Sequence, residues 1–498
     1  MGHRSCGVRF TALSKPLTGC FRRVNSVNLR KGREMKRSSS CIAFVFYALF
    51  LAGCAHYPVN ARLTQYNPDT GYRLKTVSRV ENTDGLVVVL AFSGGGHRAA
   101  ALSYGVLEEL ARTDVVWEGQ HKRLLDEVQV ISAVSGGSFT AAYYALFGDE
   151  IFRDYESAFL KQNIQHRLMW RMLSPLNWMR FASPYFSRSD MVAEFYDRHV
   201  FRSKTFGDLA QAHQSPFVIL NATDMSSASH FGFTQDQFDL MCSDLSTFPV
   251  GRAVAASSAF PVLLTPITVN NYAGSCGYIE PPQVETALAQ RERLSRGYLK
   301  AEEMRTYQDA ANHPYFHLID GGLSDNLGLR GPLEPILALG GVRPAMQYFG
   351  VKRPRKIVVI AVNAATHRDL GWDKHARAPG IVEVGFAFGD VINRYSFETR
   401  QLFRDRIEQW ESELNDGQTG VEPVKVYGIE VSFEQLAAPK EREYFDNLPT
   451  RFSLPPGAVD RLRSVAGRLL RESESYQKLL RDLSSEEQSE YSKQAHAR

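Results

Sequence analysis

The chain has 498 residues, 44% hydrophobic and 22% charged, the composition of an ordinary folded protein and not of a disordered or fibrous one. Its formal charge of +4 misleads: residues 1–54 hold ten Lys/Arg against one acid, Glu34, and the remainder carries 48 basic and 53 acidic residues, a net of −5. Composition therefore gives no support to a basic nucleic-acid-binding surface.

The basic excess belongs to a leader. Lys36 and Arg37 precede an apolar run from Cys41 to Ala52, too short to span a bilayer and of the right length for a signal-peptide core. The run ends in Leu51-Ala52-Gly53-Cys54. Small residues before a cysteine resemble a bacterial lipoprotein signal, which implies cleavage before Cys54 and a lipid on that cysteine; a short N-terminal anchor is the alternative. Met35 is a second candidate start, which would leave residues 1–34 untranslated. Ala55 stands where an Asp would signal inner-membrane retention, so a Gram-negative cell would send the protein to its outer membrane or periplasmic face. Three of the six cysteines, Cys6, Cys20 and Cys41, fall in the leader and Cys54 is the candidate anchor. Cys242 and Cys276 remain, a candidate disulfide outside the cytoplasm. No CxxC or HExxH spacing occurs, so no metal and no cofactor is expected.

Residues 54–85 are polar and aperiodic and read as a lipidated tether. Gly85 to Phe92 is then a continuous apolar run, as in a strand buried on both faces of a parallel sheet. Ser93-Gly94-Gly95-Gly96 follows, and Ala99 to Arg112 has helical spacing through Leu102, Val106, Leu107 and Leu110. The pattern repeats with a strand over Glu127–Ala133, a turn at Val134-Ser135-Gly136-Gly137 and a helix from Ser138 to Leu146. Further strands are predicted over Phe217–Ala222, Tyr315–Asp320 and Lys356–Asn363. Strands alternating with helices argue for an α/β sheet covered on both faces, with sites beyond the strand ends. Thr399–Leu414 and Pro456–Leu483 read as helices, and Val424–Val431 alternates like a strand. The expected division is a leader over 1–53, a tether over 54–85, a core over 86–370 and a mainly helical part over 371–498 packed on that core.

Three turns carry chemistry. Ser135 stands where a strand turns into a helix, the setting of a nucleophile elbow, with Ala133 in place of the first glycine of G-x-S-x-G. The helix after the turn points its N–H groups at the serine and favours developing negative charge. Gly94, Gly95 and Gly96 can turn their amides inward as oxyanion donors, Gly136 can add another, and Arg98 adds positive charge nearby. Asp320-Gly321-Gly322 offers a carboxylate at a strand end; partly desolvated, it could act as the base that a serine needs. Dinucleotide and phosphate-loop patterns are not matched.

Together GGGHRAA, AVSGGS and LIDGGLSDN resemble the patatin-like phospholipase family, whose glycine run, serine elbow and Asp-Gly-Gly occur in this order. Ser187-Arg188-Ser189-Asp190, Ile219 to Asp224 and Ala253 to Pro261 are similar to further family segments, and the resemblance covers roughly residues 86–370. It implies a three-layer α/β/α sandwich with a mostly parallel central sheet and a helical C-terminal extension. It also implies a Ser135–Asp320 dyad without histidine: Ser135 attacks an acyl carbonyl, Asp320 takes its proton, and water hydrolyses the acyl-enzyme. The rival is a Ser-His-Asp triad drawing on His97, His317, His367 or His375.

Leu168 to Phe181 is rich in Trp, Met and Arg; packing between helices is the expectation, with a lipid interface or a lid as the alternative. The expected activity is hydrolysis of acyl esters of phospholipids or related lipids. The competing readings are an acyltransferase or thioesterase on the same serine, and a non-enzymatic, membrane-anchored binding lipoprotein.

Overall fold

The structure, a computed structural model, describes residues 55–484 apart from 78–84, 213–215, 290–294, 368–373, 375, 379 and 419. The leader, Cys54, Met35 and His375 lie outside the described residues.

The strands that matter below are β1 (Ala61–Arg62), β2 (Leu86–Phe92), β3 (Val128–Val134), β4 (Phe217–Asp224), β5 (His230–Gly232), β6 (Ser243–Asp244), β7 (Ile267–Asn270), β8 (Tyr315–Asp320), β9 (Lys356–Asn363) and β10 (Lys425–Ser432). The helices that matter below are α1 (His97–Arg112), α2 (Gly136–Phe147), α3 (Ile164–Leu173), α4 (Pro175–Phe181), α5 (Arg188–His199), α6 (Val250–Ser257), α7 (Arg330–Ala338), α8 (Val342–Phe349), α9 (Ile381–Asn415) and α10 (Pro456–Glu472).

One eight-stranded sheet runs in the order β10-β9-β2-β3-β4-β8-β7, with β5 paired to β4. The pairs from β10 to β4 are parallel, and β3 and β9 are buried along their whole length, which is why their sequences read as unbroken apolar runs. Helices α1, α2 and α10 close one face over a core that includes Leu90, Phe92, Leu102, Ile131 and Leu462. Leu333, Val342, Phe403 and Trp410 from α7, α8 and α9 close the other face over Ala91, Ile357 and Val359. The fold is thus an α/β/α sandwich with a mostly parallel sheet.

Three expectations change. First, β8 runs antiparallel to β4 and to β7, so its carboxyl end points opposite to those of β2 and β3. Its exposed–buried alternation suits a strand near the sheet edge. Second, residues 55–77 are no tether. Tyr72 is buried and its hydroxyl bridges the Val218 backbone, donating to the carbonyl at 3.2 Å and accepting from the N–H at 2.8 Å. Asn60 donates to Ser243 at 2.7 Å, Arg73 pairs with Asp239 at 2.6 Å, and β1 pairs with β6. The sequence is polar here because it satisfies backbone and charge at the core margin, not because it is loose. Third, the part after residue 370 adds a strand to the sheet itself: β10 extends it beyond β9, and α10 packs on α1, where the small Gly105 lets the helices touch.

Candidate active site

Val134, the last residue of β3, lies beside Asn221 of β4, while Asp320, the last residue of β8, lies beside Ala222 of the same strand. The two strands approach β4 from opposite sides and opposite directions, and their ends meet above it. There the Ser135 hydroxyl donates to Asp320 Oδ2 at 3.0 Å.

Ser135 sits at φ 49°, ψ −115° as the N-cap of α2. Positive φ in a non-glycine residue is strained, and here the strain lifts the hydroxyl off the sheet. The elbow is held by Ser257 at the end of α6. Its Oγ accepts the Ser135 N–H at 2.9 Å and donates to the Asn221 carbonyl at 2.6 Å, and it shares a 2.8 Å bond with Ser138. The same helix end fixes the aspartate: the Asp320 N–H donates to the Ala259 carbonyl and the Gly321 N–H to that of Ser257, each at 3.1 Å. Thr223 donates to the Asp320 carbonyl at 2.8 Å.

Asp320 is buried, and that burial pushes its pKa up to about 6; the Gly322 N–H, donating at 2.8 Å to Oδ1, and the Ser135 hydroxyl partly oppose the rise. A carboxylate in this range is basic enough to take a proton yet still ionised at neutral pH.

The glycine run wraps the elbow. A Cβ on Gly136 would lie 1.9 Å from the Gly96 carbonyl oxygen, so α2 can start against this loop only because position 136 has no side chain. Gly96 itself adopts φ 60°, ψ −140°, a conformation that L side chains avoid. Among the described residues, the Gly95 and Gly96 amides have no hydrogen-bond acceptor and the Gly136 amide begins a helix, so all three are free to donate to a ligand.

Two members of the expected oxyanion set stand elsewhere. The Gly94 N–H is committed to the Asn326 carbonyl at 2.8 Å. Arg98 is buried, and its guanidinium donates to the Ala364 carbonyl at 2.8 Å, the Leu448 carbonyl at 2.6 Å and Thr450 at 3.3 Å. It braces the loop from behind and aims no donor at the elbow in these contacts.

No described histidine is bonded to Ser135 or Asp320. His97 turns into the core, its Nε2 2.7 Å from the Leu160 carbonyl oxygen, and burial lowers its pKa. His317 is bonded to Thr268 at 3.1 Å, and His367 to Glu434 at 2.9 Å. Among the described residues, no group of three or more His, Cys, Asp and Glu is placed to hold a metal ion. Cys242 and Cys276 are joined by a disulfide, away from the dyad.

An apolar cavity of about 470 Å³ stands apart from this pair. It lies on the other face of the sheet, against Val89, Val130, Ile219, Leu333 and Phe403, and touches neither Ser135 nor Asp320.

The family segments find their purpose in this frame. Asp190 caps α5 and pairs with the buried Arg252 of α6 at 2.7 Å. Asn221 donates to Ser132 and to the Ala133 carbonyl, each at 2.9 Å, and holds β3 beneath the elbow. Sequence reasoning does not single out Ser257, Asn221 or Thr223. Their signal is a polar residue within an otherwise small or apolar stretch.

A serine on a strained strand-to-helix turn is thus bonded to a desolvated aspartate beside unsatisfied backbone amides, on an α/β/α sandwich, an arrangement able to activate a hydroxyl as a nucleophile. Residues 90–333 match the family model described as Patatin, patatin-like phospholipase. That matched region is a patatin-like phospholipase domain, of a family of lipid acyl hydrolases. Among solved structures it is similar to human GIVD cytosolic phospholipase A2, at 13% identity and TM-score 0.44, over 89% of this chain and 66% of that one. The same human protein in complex with methyl gamma-linolenyl fluorophosphonate gives 12% identity and TM-score 0.38, over 83% and 62%. VipD from Legionella pneumophila gives 11% identity and TM-score 0.27, over 82% and 71%. The chain thus spans just under two thirds of the length of the human phospholipase chains. No curated protein matches it.

Proposed function

We propose that the protein hydrolyses acyl esters of phospholipids or related lipids, with Ser135 as nucleophile and Asp320 as the only side-chain base. The observation that carries this reading is the 3.0 Å bond from the Ser135 hydroxyl to a buried Asp320. Asp320 takes the hydroxyl proton as the serine oxygen bonds to the acyl carbon. The carbonyl oxygen gains the electron pair and is received by the Gly95, Gly96 and Gly136 amides. When the carbonyl re-forms, the ester oxygen leaves with the proton from Asp320. Water then attacks the acyl-enzyme, giving one proton to Asp320 and releasing the fatty acid, and that proton returns to Ser135.

The same reading places the protein outside the cytoplasm, anchored through a lipid on Cys54. The disulfide supports an oxidising compartment.

The test is hydrolysis of p-nitrophenyl esters and of mixed phospholipid vesicles by the unaltered chain, Ser135→Ala and Asp320→Asn. Loss of activity in both folded variants by roughly four to six orders of magnitude is expected. Activity surviving Ser135→Ala overturns the nucleophile. Failure of a fluorophosphonate to label the unaltered protein at Ser135 overturns the hydrolase reading itself.

A further inference from the structure

The segment expected to pack between helices does the opposite. Within ten residues of α3 and α4, Met169, Trp170, Leu173, Leu176 and Trp178 are each 51–73% exposed. Helix α3 buries only Ile164 and Leu168, and α4 buries none of its residues. A contiguous set of large apolar side chains facing water is rare on a folded chain unless something covers it.

Charge identifies the cover. Residues 164–182 contain Arg167, Arg171 and Arg180 and no acid. Arg167 and Arg198 are exposed, and Arg171 lies close enough to Arg198 to feel its charge. Glu194, on α5, is taken by Arg180 at 3.0 Å. Tryptophan and leucine among arginines suit the boundary between anionic headgroups and acyl chains, where the rings bury their bodies and the guanidinium groups meet phosphate.

A second feature lies on the same side. Ser183, two residues past α4, donates to the Ala55 carbonyl at 2.6 Å, and the Tyr57 N–H donates to the Tyr185 carbonyl at 2.7 Å. Cys54 is the residue that precedes Ala55 in the sequence. On the reading of Cys54 as a lipidated residue, the chain just after the anchor is therefore held against the segment that follows α4. The hairpin also adjoins the catalytic loop: the Gln165 N–H donates to Ser453 at 3.0 Å, and the Arg451 carbonyl two residues earlier accepts the His97 N–H at 2.9 Å, next to Gly96.

We propose that the α3–α4 hairpin is a bilayer-docking surface. It inserts Trp170, Leu173, Leu176 and Trp178 into the headgroup region of an anionic membrane and sets the oxyanion loop against the lipid. On that reading the lipid on Cys54 and this surface hold the protein to the membrane at two points.

The experiment uses the full chain carrying Cys54→Ala and Ser135→Ala, so that neither an anchor nor turnover contributes. Co-sedimentation and tryptophan emission are measured with phosphatidylcholine vesicles and with vesicles that also contain phosphatidylglycerol. Tighter binding to the anionic vesicles, with a blue-shifted emission, is expected. Trp170→Ala and Trp178→Ala should each weaken it by about tenfold. Arg167→Ala with Arg198→Ala should weaken only the anionic binding. In the Ser135-intact background the tryptophan variants should hydrolyse a soluble p-nitrophenyl ester at the unaltered rate, which reports folding and keeps this test separate from that of the hydrolase. Unchanged vesicle binding in the double tryptophan variant overturns the proposal. So does concentration-dependent self-association that these substitutions abolish, because the surface then docks a second copy of the chain.

Discussion

Ser257 and Ser135 are joined by a 2.9 Å bond from the Ser135 N–H to the Ser257 hydroxyl, and this one bond holds the strained residue in place. The Ser257 hydroxyl also reaches the Asn221 carbonyl and Ser138. It therefore ties α6, β4, the elbow and the start of α2 together at a single oxygen. Ser257→Ala leaves the Ser135 N–H, the Asn221 carbonyl and the Ser138 hydroxyl short of a partner inside the core. Stability should fall by about 1–3 kcal/mol. The elbow should shift enough to lower kcat by roughly tenfold or more, with KM little changed. Thermal unfolding and a kcat–KM split on a soluble ester check both.

The elevated pKa of Asp320 makes two opposite predictions. As a base it must be ionised, so kcat/KM should fall about tenfold per pH unit below about 6. For stability, the folded-state pKa lies above its ordinary 3.8, so the native state holds the proton more tightly than the unfolded chain does. The associated stability is fully present below about pH 4 and lost as pH rises through 6. Asp320→Asn, which keeps the shape without the charge, should therefore be more stable than the unaltered protein at pH 8, by about 1–3 kcal/mol, and should lose this advantage at pH 4. Melting temperatures of the two proteins across that range are the measurement.

Gly136→Ala adds one methyl at 1.9 Å from the Gly96 carbonyl oxygen. Backbone meets backbone there, and no rotamer relieves the clash. Loss of about 3 kcal/mol is expected. Hydrolysis should be abolished even where the variant remains folded, because relief requires the oxyanion loop to move off the elbow. Hydrolysis measured at a temperature well below the variant's melting point separates the two effects.

The disulfide closes a separation of 34 residues and lies beneath the segment 55–77: the Leu63 N–H donates to the Cys242 carbonyl at 2.8 Å and the Tyr66 N–H to that of Cys276 at 2.9 Å. Cys276→Ser should cost about 3–4 kcal/mol by chain entropy. A reductant should lower the melting temperature of the unaltered protein to that of the variant and leave the variant unmoved.

The pairing of Ser135 with Asp320 is legible in the sequence because each residue stands at the end of an apolar strand and precedes glycines, and the three glycine-rich turns occur in one order. That β8 runs backwards is not legible. The run Tyr-Phe-His-Leu-Ile-Asp fits either direction, and pairing direction depends on connections far along the chain. Arg98 reads as a donor for the oxyanion because it comes just after the glycine run. Its true partners, Ala364, Leu448 and Thr450, lie more than 260 residues away in sequence and are invisible to local reading. The polar stretch around Tyr72 reads as tether because polarity suits both solvent and buried hydrogen bonds. The Trp-rich hairpin reads as core because hydrophobicity alone does not tell burial by protein from burial by lipid.

The position of β2 has one more consequence. It is hydrogen-bonded on both sides, to β3 and to β9, and β9 in turn to β10, so the stretch 90–333 that matches the family is not severable from β9 and β10. A polypeptide ending at residue 333 would keep Ser135 and Asp320 yet present β2 as a bare apolar ribbon ready to recruit other chains. Any premature stop ahead of residue 432 should therefore yield an aggregating product, not a smaller enzyme.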